Sequence, residues 1–282
     1  MSTNKSTNQL TSQLIDYTLH LADNALILGH RNSEWAAHGP VLEQDIAISN
    51  IALDLIGQAR NFYQYAAKII NESAFSSPTG GGWVGAGGEA TEDSLAYLRD
   101  AWDFKNCLLV EQNNGDWAKT ILRQFFFSTY QFYLYEQLQY SKDDTIAAIS
   151  EKSLKEVTYH LRWCSEWVIR MGDGTTESHT RMLNALDELW KFTGELTLPA
   201  SYESALAKDG IAVDVSELKE KWIEKINAIF FEATLSSPPV GEEGKKVMWM
   251  QSGGKEGRHT EHLGYILAEM QFMQRAYPNS EW

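Results

Sequence analysis

Residues 48–70 read ISNIALDLIGQARNFYQYAAKII. Ile48, Ile51, Ala52, Leu55, Ile56, Ala59, Phe62, Tyr63, Ala66, Ala67 and Ile70 recur at i, i+3, i+4 and i+7, the repeat of one helix face, over about six turns. This predicts a long helix after Pro40. Working outward, Ile15, Leu19, Ala22 and Leu26, widened by Leu14, Leu21, Ala25 and Leu28, predict a first long helix that stops at Gly29 and the polar run Arg31 to Glu34. Residues 1–9 are polar and expected to be flexible. Residues 74–90 carry the glycine-rich run SSPTGGGWVGAGG, read as a surface loop with Trp83 at its tip, a place for a partner contact.

The chain continues as helices. Thr91 caps a short one, Glu92 to Trp102. The turn Asn113-Asn114-Gly115 and the cap Asp116 open a third long helix, Trp117 to about Tyr140. It is aromatic on nearly every side and must be buried on several faces. Asp143 and Asp144 start a fourth, with Ile146, Ile149, Val157, His160, Cys164, Val168 and Met171 on one stripe and Gly172 at its end. Shorter helices are expected over 176–195, 216–233 and 260–276, the last stopped by Pro278. No strand-like alternation occurs, so residues 1–282 read as one all-α domain: a ferritin-like four-helix bundle core with additional shorter helices.

Composition narrows the function. A net charge of −14 repels phosphate backbones and anionic lipid, which argues against nucleic acid and membranes as partners. The opening residues lack the apolar core of a signal peptide, and a cytoplasmic location is expected. Ten tryptophans suggest a bulky core or a protein interface. The two cysteines, Cys107 and Cys164, indicate neither a disulfide framework nor a zinc site.

A ferritin-like di-iron site takes a Glu from each of two helices and a Glu-x-x-His from each of the other two, because i and i+3 share a face and converge on one point. No Glu-x-x-His is present. Glu34 with His38, and Glu156 with His160, are spaced i, i+4, and His259 with His262 lacks a placed carboxylate. Glu34, Glu43 and Asp45 read as capping and surface charge around Pro40.

The runs LADNALILGHRNSEWAAHGPVLEQDIAISNIALDLIGQARNFYQYA (Leu21 to Ala66), KEVTYHLRWCSEWVIRMGDGTTES (Lys155 to Ser178) and GGKEGRHTEHLGYILAEMQ (Gly253 to Gln271) resemble the C subunits of the phenylacetyl-CoA epoxidase family. The resemblance covers nearly the whole chain. It implies a monooxygenase complex in which a related catalytic A subunit holds the di-iron centre and phenylacetyl-CoA. A reductase subunit supplies electrons from NADPH, the product is a ring 1,2-epoxide, and the C subunit is a structural partner. The A subunit's Asp-Glu-Ala-Gly-His matches Asp54-Leu55-Ile56-Gly57-Gln58, which puts Leu55 and Gln58 at a Glu and a His ligand position. Its Lys-Glu-Glu-Ser-Phe-His matches Lys155 to His160, which puts Val157 at a ligand Glu and keeps His160.

The resemblance therefore implies that this chain has no catalytic residue of its own and binds no metal or cofactor. In place of the metal, His160 is expected in a remnant polar cluster with Asp54, Gln58 or Tyr130. Lys255, Arg258, His259 and His262 are candidate contacts for the A subunit or its coenzyme A, with a solvated loop and helix cap as the plainer reading. Other subunits of the complex and a homodimer are further partners to test. Two alternatives stay open: an oxygenase active in its own right through an unorthodox metal site around His160, and a helical scaffold unrelated to oxygenation.

Overall fold

The computed structural model describes residues 2–75, 89–236, 249–278 and 280. Eleven α-helices and no strand occur among them. Four are long: α1 (Ser2–Ser33), α2 (Leu42–Phe75), α5 (Trp117–Leu138) and α6 (Asp144–Gly172). Between and after them come α3 (Glu92–Tyr97), α4 (Leu108–Glu111), α7 (Thr176–Leu189), α8 (Ser201–Asp209), α9 (Lys219–Glu232), α10 (Glu261–Met270) and α11 (Phe272–Ala276).

α1 and α2 form one hairpin and α5 and α6 another, and the two pairs make the ferritin-like core. Asp116 caps α5 by accepting from the Lys119 N–H, and Asp143 caps α6 through the N–H groups of Thr145 and Ile146. The predicted aromatic helix is buried continuously from Thr120 to Gln131, because α7 and α9 pack on the face that α6 leaves open. α1 is buried all round from Tyr17 to Gly29, between α2, α4 and α8.

The boundaries depart from expectation where side chains reach the backbone. α1 runs back to Ser2, over the polar segment expected to be flexible. The short helix ends at Tyr97 rather than Trp102, where Arg99 turns inward and donates to the Leu95 and Asp103 carbonyls. The final helix breaks at Gln271, whose buried amide donates to the Ala96 and Arg99 carbonyls and pins the chain to the end of α3. α4 and α8 were not expected. The Trp83 loop lies outside the described residues.

Candidate functional site

α2 and α6 bring the predicted positions together, though not as one cluster. Leu55 on α2 and Val157 on α6 are fully buried, so hydrocarbon fills two of the four motif positions. The third, Gln58, donates to Glu156 Oε2 at 2.9 Å and sits 3.5 Å from the Gln131 amide of α5. At the fourth, His160 is wholly buried and its Nε2 lies 3.0 Å from Asp54 Oδ2. The Asp54 side chain is 38% exposed, which places this pair at the α2–α6 seam with one edge in water. His160 Nδ1 has no partner among the described residues.

Tyr130 does not join them. Its hydroxyl is buried without a hydrogen bond, and burial, then the negative field of Glu203, pushes its pKa well up. The expected four-residue cluster is instead two pairs, His160 with Asp54 and Gln58 with Glu156. Tyr130 faces elsewhere because successive helix positions diverge by about 100°.

These residues do not fit a di-iron centre. Two irons need bridging carboxylates, and the inward positions offer Leu, Val, neutral amides and the single imidazole of His160, while Asp54 and Glu156 stand at the outer edge. Among the described residues no three His, Cys, Asp or Glu side chains converge to hold a metal ion. Both cysteine thiols are buried, and burial raises their pKa values, which makes them inert core groups.

A larger buried polar network lies on the other side of α1. Asp23 accepts two bonds from Arg99, one from the Tyr63 hydroxyl and one from the Lys105 N–H. Lys255 Nζ donates to Glu203 at 2.9 Å and to the Leu198 carbonyl at 3.0 Å. Glu195 accepts from the backbone N–H groups of Leu108 and Gly253, both at 2.7 Å. Glu111 takes His259 Nδ1 at 2.8 Å and both the N–H and hydroxyl of Thr260.

Two of the predicted contact residues are thereby corrected. Lys255 is 3% exposed, and the His259 ring bridges Glu111 and the Phe104 carbonyl, so both are internal fasteners. Of the contact candidates among the described residues, Arg258, paired with Glu256, and the half-buried His262 remain at the surface. His20, Asp23 and Asn24 inside the buried stretch of α1 were the visible sign of this network in the sequence.

Burial works to lower the Lys255 pKa, yet the Glu203 charge raises it overall; the same pairing depresses Glu203 against its own burial. His20, 3.6 Å from Glu203, is pushed down by burial to about 4. Between pH 6.5 and 4 the unfolded chain therefore takes up a proton that folded His20 refuses. Stability is lost as the pH falls across that window, by about 3 kcal/mol at 1.36 kcal/mol per pKa unit. Replacing His20→Gln should flatten the urea-unfolding stability profile relative to the parent in that range. A variant with the parent's slope would show that His20 does not supply it.

Compared with known proteins, the chain matches over residues 1–282 a family model described as phenylacetic acid catabolic protein. It is 44% identical over 271 residues, 96% of its own length and 100% of the other's, to an Escherichia coli (strain K12) protein described as the C subunit of 1,2-phenylacetyl-CoA epoxidase.

Proposed function

The chain belongs to the phenylacetic acid catabolic protein family, and from that premise we propose that it is the non-catalytic subunit of a ring 1,2-phenylacetyl-CoA epoxidase. It pairs with and stabilises a related di-iron catalytic subunit in aerobic phenylacetate breakdown. The observation that carries this is the full burial of Leu55 and Val157 at the two motif positions where bridging carboxylates would stand. A helix pair that closes its centre with hydrocarbon keeps the bundle's shape and gives up its redox chemistry.

On this proposal the chain itself binds no cofactor. The di-iron centre belongs to the catalytic subunit, and NADPH is used through a separate reductase. The complex acts in the cytoplasm, in keeping with the observation that no helix of the described residues is long and apolar enough to cross a membrane.

A reading in which His160 anchors an independent metal site finds less support, since Asp54 is the only carboxylate beside its ring among the described residues. Two measurements separate the readings. Purified alone, the chain should carry only substoichiometric iron; co-expressed with the catalytic subunit, it should co-purify with it. A full di-iron complement together with oxygenase activity in the absence of any partner would overturn the proposal.

A further inference from the structure

A cavity of about 260 Å³ lies where two short 3-10 turns that follow α7, Trp190–Phe192 and Gly194–Thr197, meet the first turn of α9. The proposed function leaves it unused. Its walls are mostly apolar: the buried indoles of Trp190 and Trp222, whose ring centroids stand 6.0 Å apart, with Ile223, Leu198 and Met250 around them.

The walls are held in place. Trp222 Nε1 donates to the Phe126 carbonyl at 3.0 Å, which fixes that indole against α5. Residues 250–252 form another wall and are tied on both sides of Ser252, by the Gln251 N–H to the Lys191 carbonyl at 2.7 Å and by the Gly253 N–H to Glu195. A Cβ at Gly194 would come 2.9 Å from Met250 Cγ, so glycine there admits the thioether to the wall.

Size and chemistry limit the occupant. Ligand pockets commonly measure about 300–1,000 Å³, so this one suits one or two rings rather than a large molecule. Indole faces and a methionine sulfur favour an aromatic ring over a flexible chain. Two lining residues carry charge. The Glu195 carboxylate is already engaged by the Leu108 and Gly253 N–H groups. Lys219 is exposed and has no carboxylate within ion-pair distance among the described residues, so its ammonium is available to an anion. Thr197 and Ser252 line the cavity too, and their hydroxyls can donate to the same group.

We infer that this cavity binds a small aryl carboxylate, its ring against the Trp190 and Trp222 indoles and its carboxylate at the Lys219 ammonium. The site does not depend on the subunit role proposed above: ligand uptake can fail while co-purification succeeds, and the reverse.

Titration of the purified full chain with 2-naphthoate, followed by calorimetry and by the methionine methyl resonances, tests it. One ligand should bind per chain and shift the Met250 methyl signal, identified by its loss in Met250→Leu. The uncharged 2-naphthalenemethanol should bind about three- to fivefold more weakly, the worth of one exposed ion pair. Lys219→Gln should weaken 2-naphthoate by the same factor and leave the alcohol unchanged, and Lys219→Arg should keep the parent's affinity. Both variants should match the parent in circular dichroism, since the side chain already faces water. Ile223→Trp, which fills the cavity, should lose both ligands. No saturable binding in the low-millimolar range, binding that leaves the Met250 signal in place, or a Lys219→Gln protein that holds 2-naphthoate as the parent does overturns the inference. Octanoate bound as tightly as 2-naphthoate would overturn it in favour of an alkyl chain, and uptake lost on binding the catalytic subunit would give the cavity to that subunit.

Discussion

Replacing Asp23→Ala should destabilise the fold by about 3–5 kcal/mol, because it removes one partner of a buried ion pair and leaves the other charged. The Asp23 side chain is 0% exposed and that of Arg99 4%. The guanidinium is packed 4.2 Å over the Phe104 ring, where water cannot follow to replace the lost carboxylate. The Tyr63 hydroxyl and the Lys105 N–H lose their acceptor in the same step.

Two companion variants separate charge from hydrogen bonding. Asp23→Asn keeps an acceptor for Tyr63 and should lose less. Asp23→Ala combined with Arg99→Met should recover much of the single-variant loss, since an apolar replacement for a whole buried pair is often close to neutral. Urea unfolding reads all three. An Asp23→Ala protein within about 1 kcal/mol of the parent would mean that the pair is hydrated and does not fasten α1 to the end of α3.

Most of the architecture was legible because the long helices repeat a single face for many turns. α5 and α6 start where their caps say, at Asp116 and Asp143, and α6 stops at Gly172, while α2 runs on to Phe75, past its predicted face and into the first residues read as loop. What periodicity does not carry is a side chain that ends a helix by bonding elsewhere in the fold. Gln271 and Arg99 reach carbonyls and carboxylates that are distant in sequence, and both broke predicted helices. α8 was missed because it is short, although Gly210, at φ 75°, is the left-handed stop that marks its end.

The segment from Gly253 to His262 shows the same limit. Its glycines and charges resemble a solvated loop, and the structure folds it inward. A Cβ at Gly254 would collide with the Asn106 carbonyl oxygen, so glycine there permits backbone to meet backbone. Lys255 and His259 then reach Glu203 and Glu111, partners set far away in the sequence. In the α2–α6 seam, the partners of Gln58 and His160 depended on which side of each helix faces its neighbour.

Placing a carboxylate at Val157 tests how closed that seam is. Val157 is fully buried, and an ionised carboxylate without a partner there would have its pKa raised by up to about 3–5 units. At pH 7 such a group stays protonated in the fold, and the loss is about 3–4 kcal/mol, the roughly 2.7 units between a free glutamate and pH 7 at 1.36 kcal/mol per unit, with crowding of the packed helices added to it. Val157→Ala, which leaves only a small cavity, should lose about 2 kcal/mol.

The pH dependence identifies the cause. A glutamate whose folded pKa is raised holds its proton in the fold and releases it on unfolding, so the Val157→Glu penalty should be small at pH 4 and grow as pH rises toward the raised value. Ferrous iron should restore none of the loss, because one added carboxylate, with Leu55 and Gln58 unchanged, supplies too few anionic donors to hold it. The triple variant Leu55→Glu, Gln58→His and Val157→Glu supplies two carboxylates and two imidazoles with His160, and it alone should gain a melting temperature that rises with added metal. A Val157→Glu protein as stable as the parent at every pH would mean that water reaches this position. The burial of Leu55 and Val157 would then no longer support the proposed non-catalytic role.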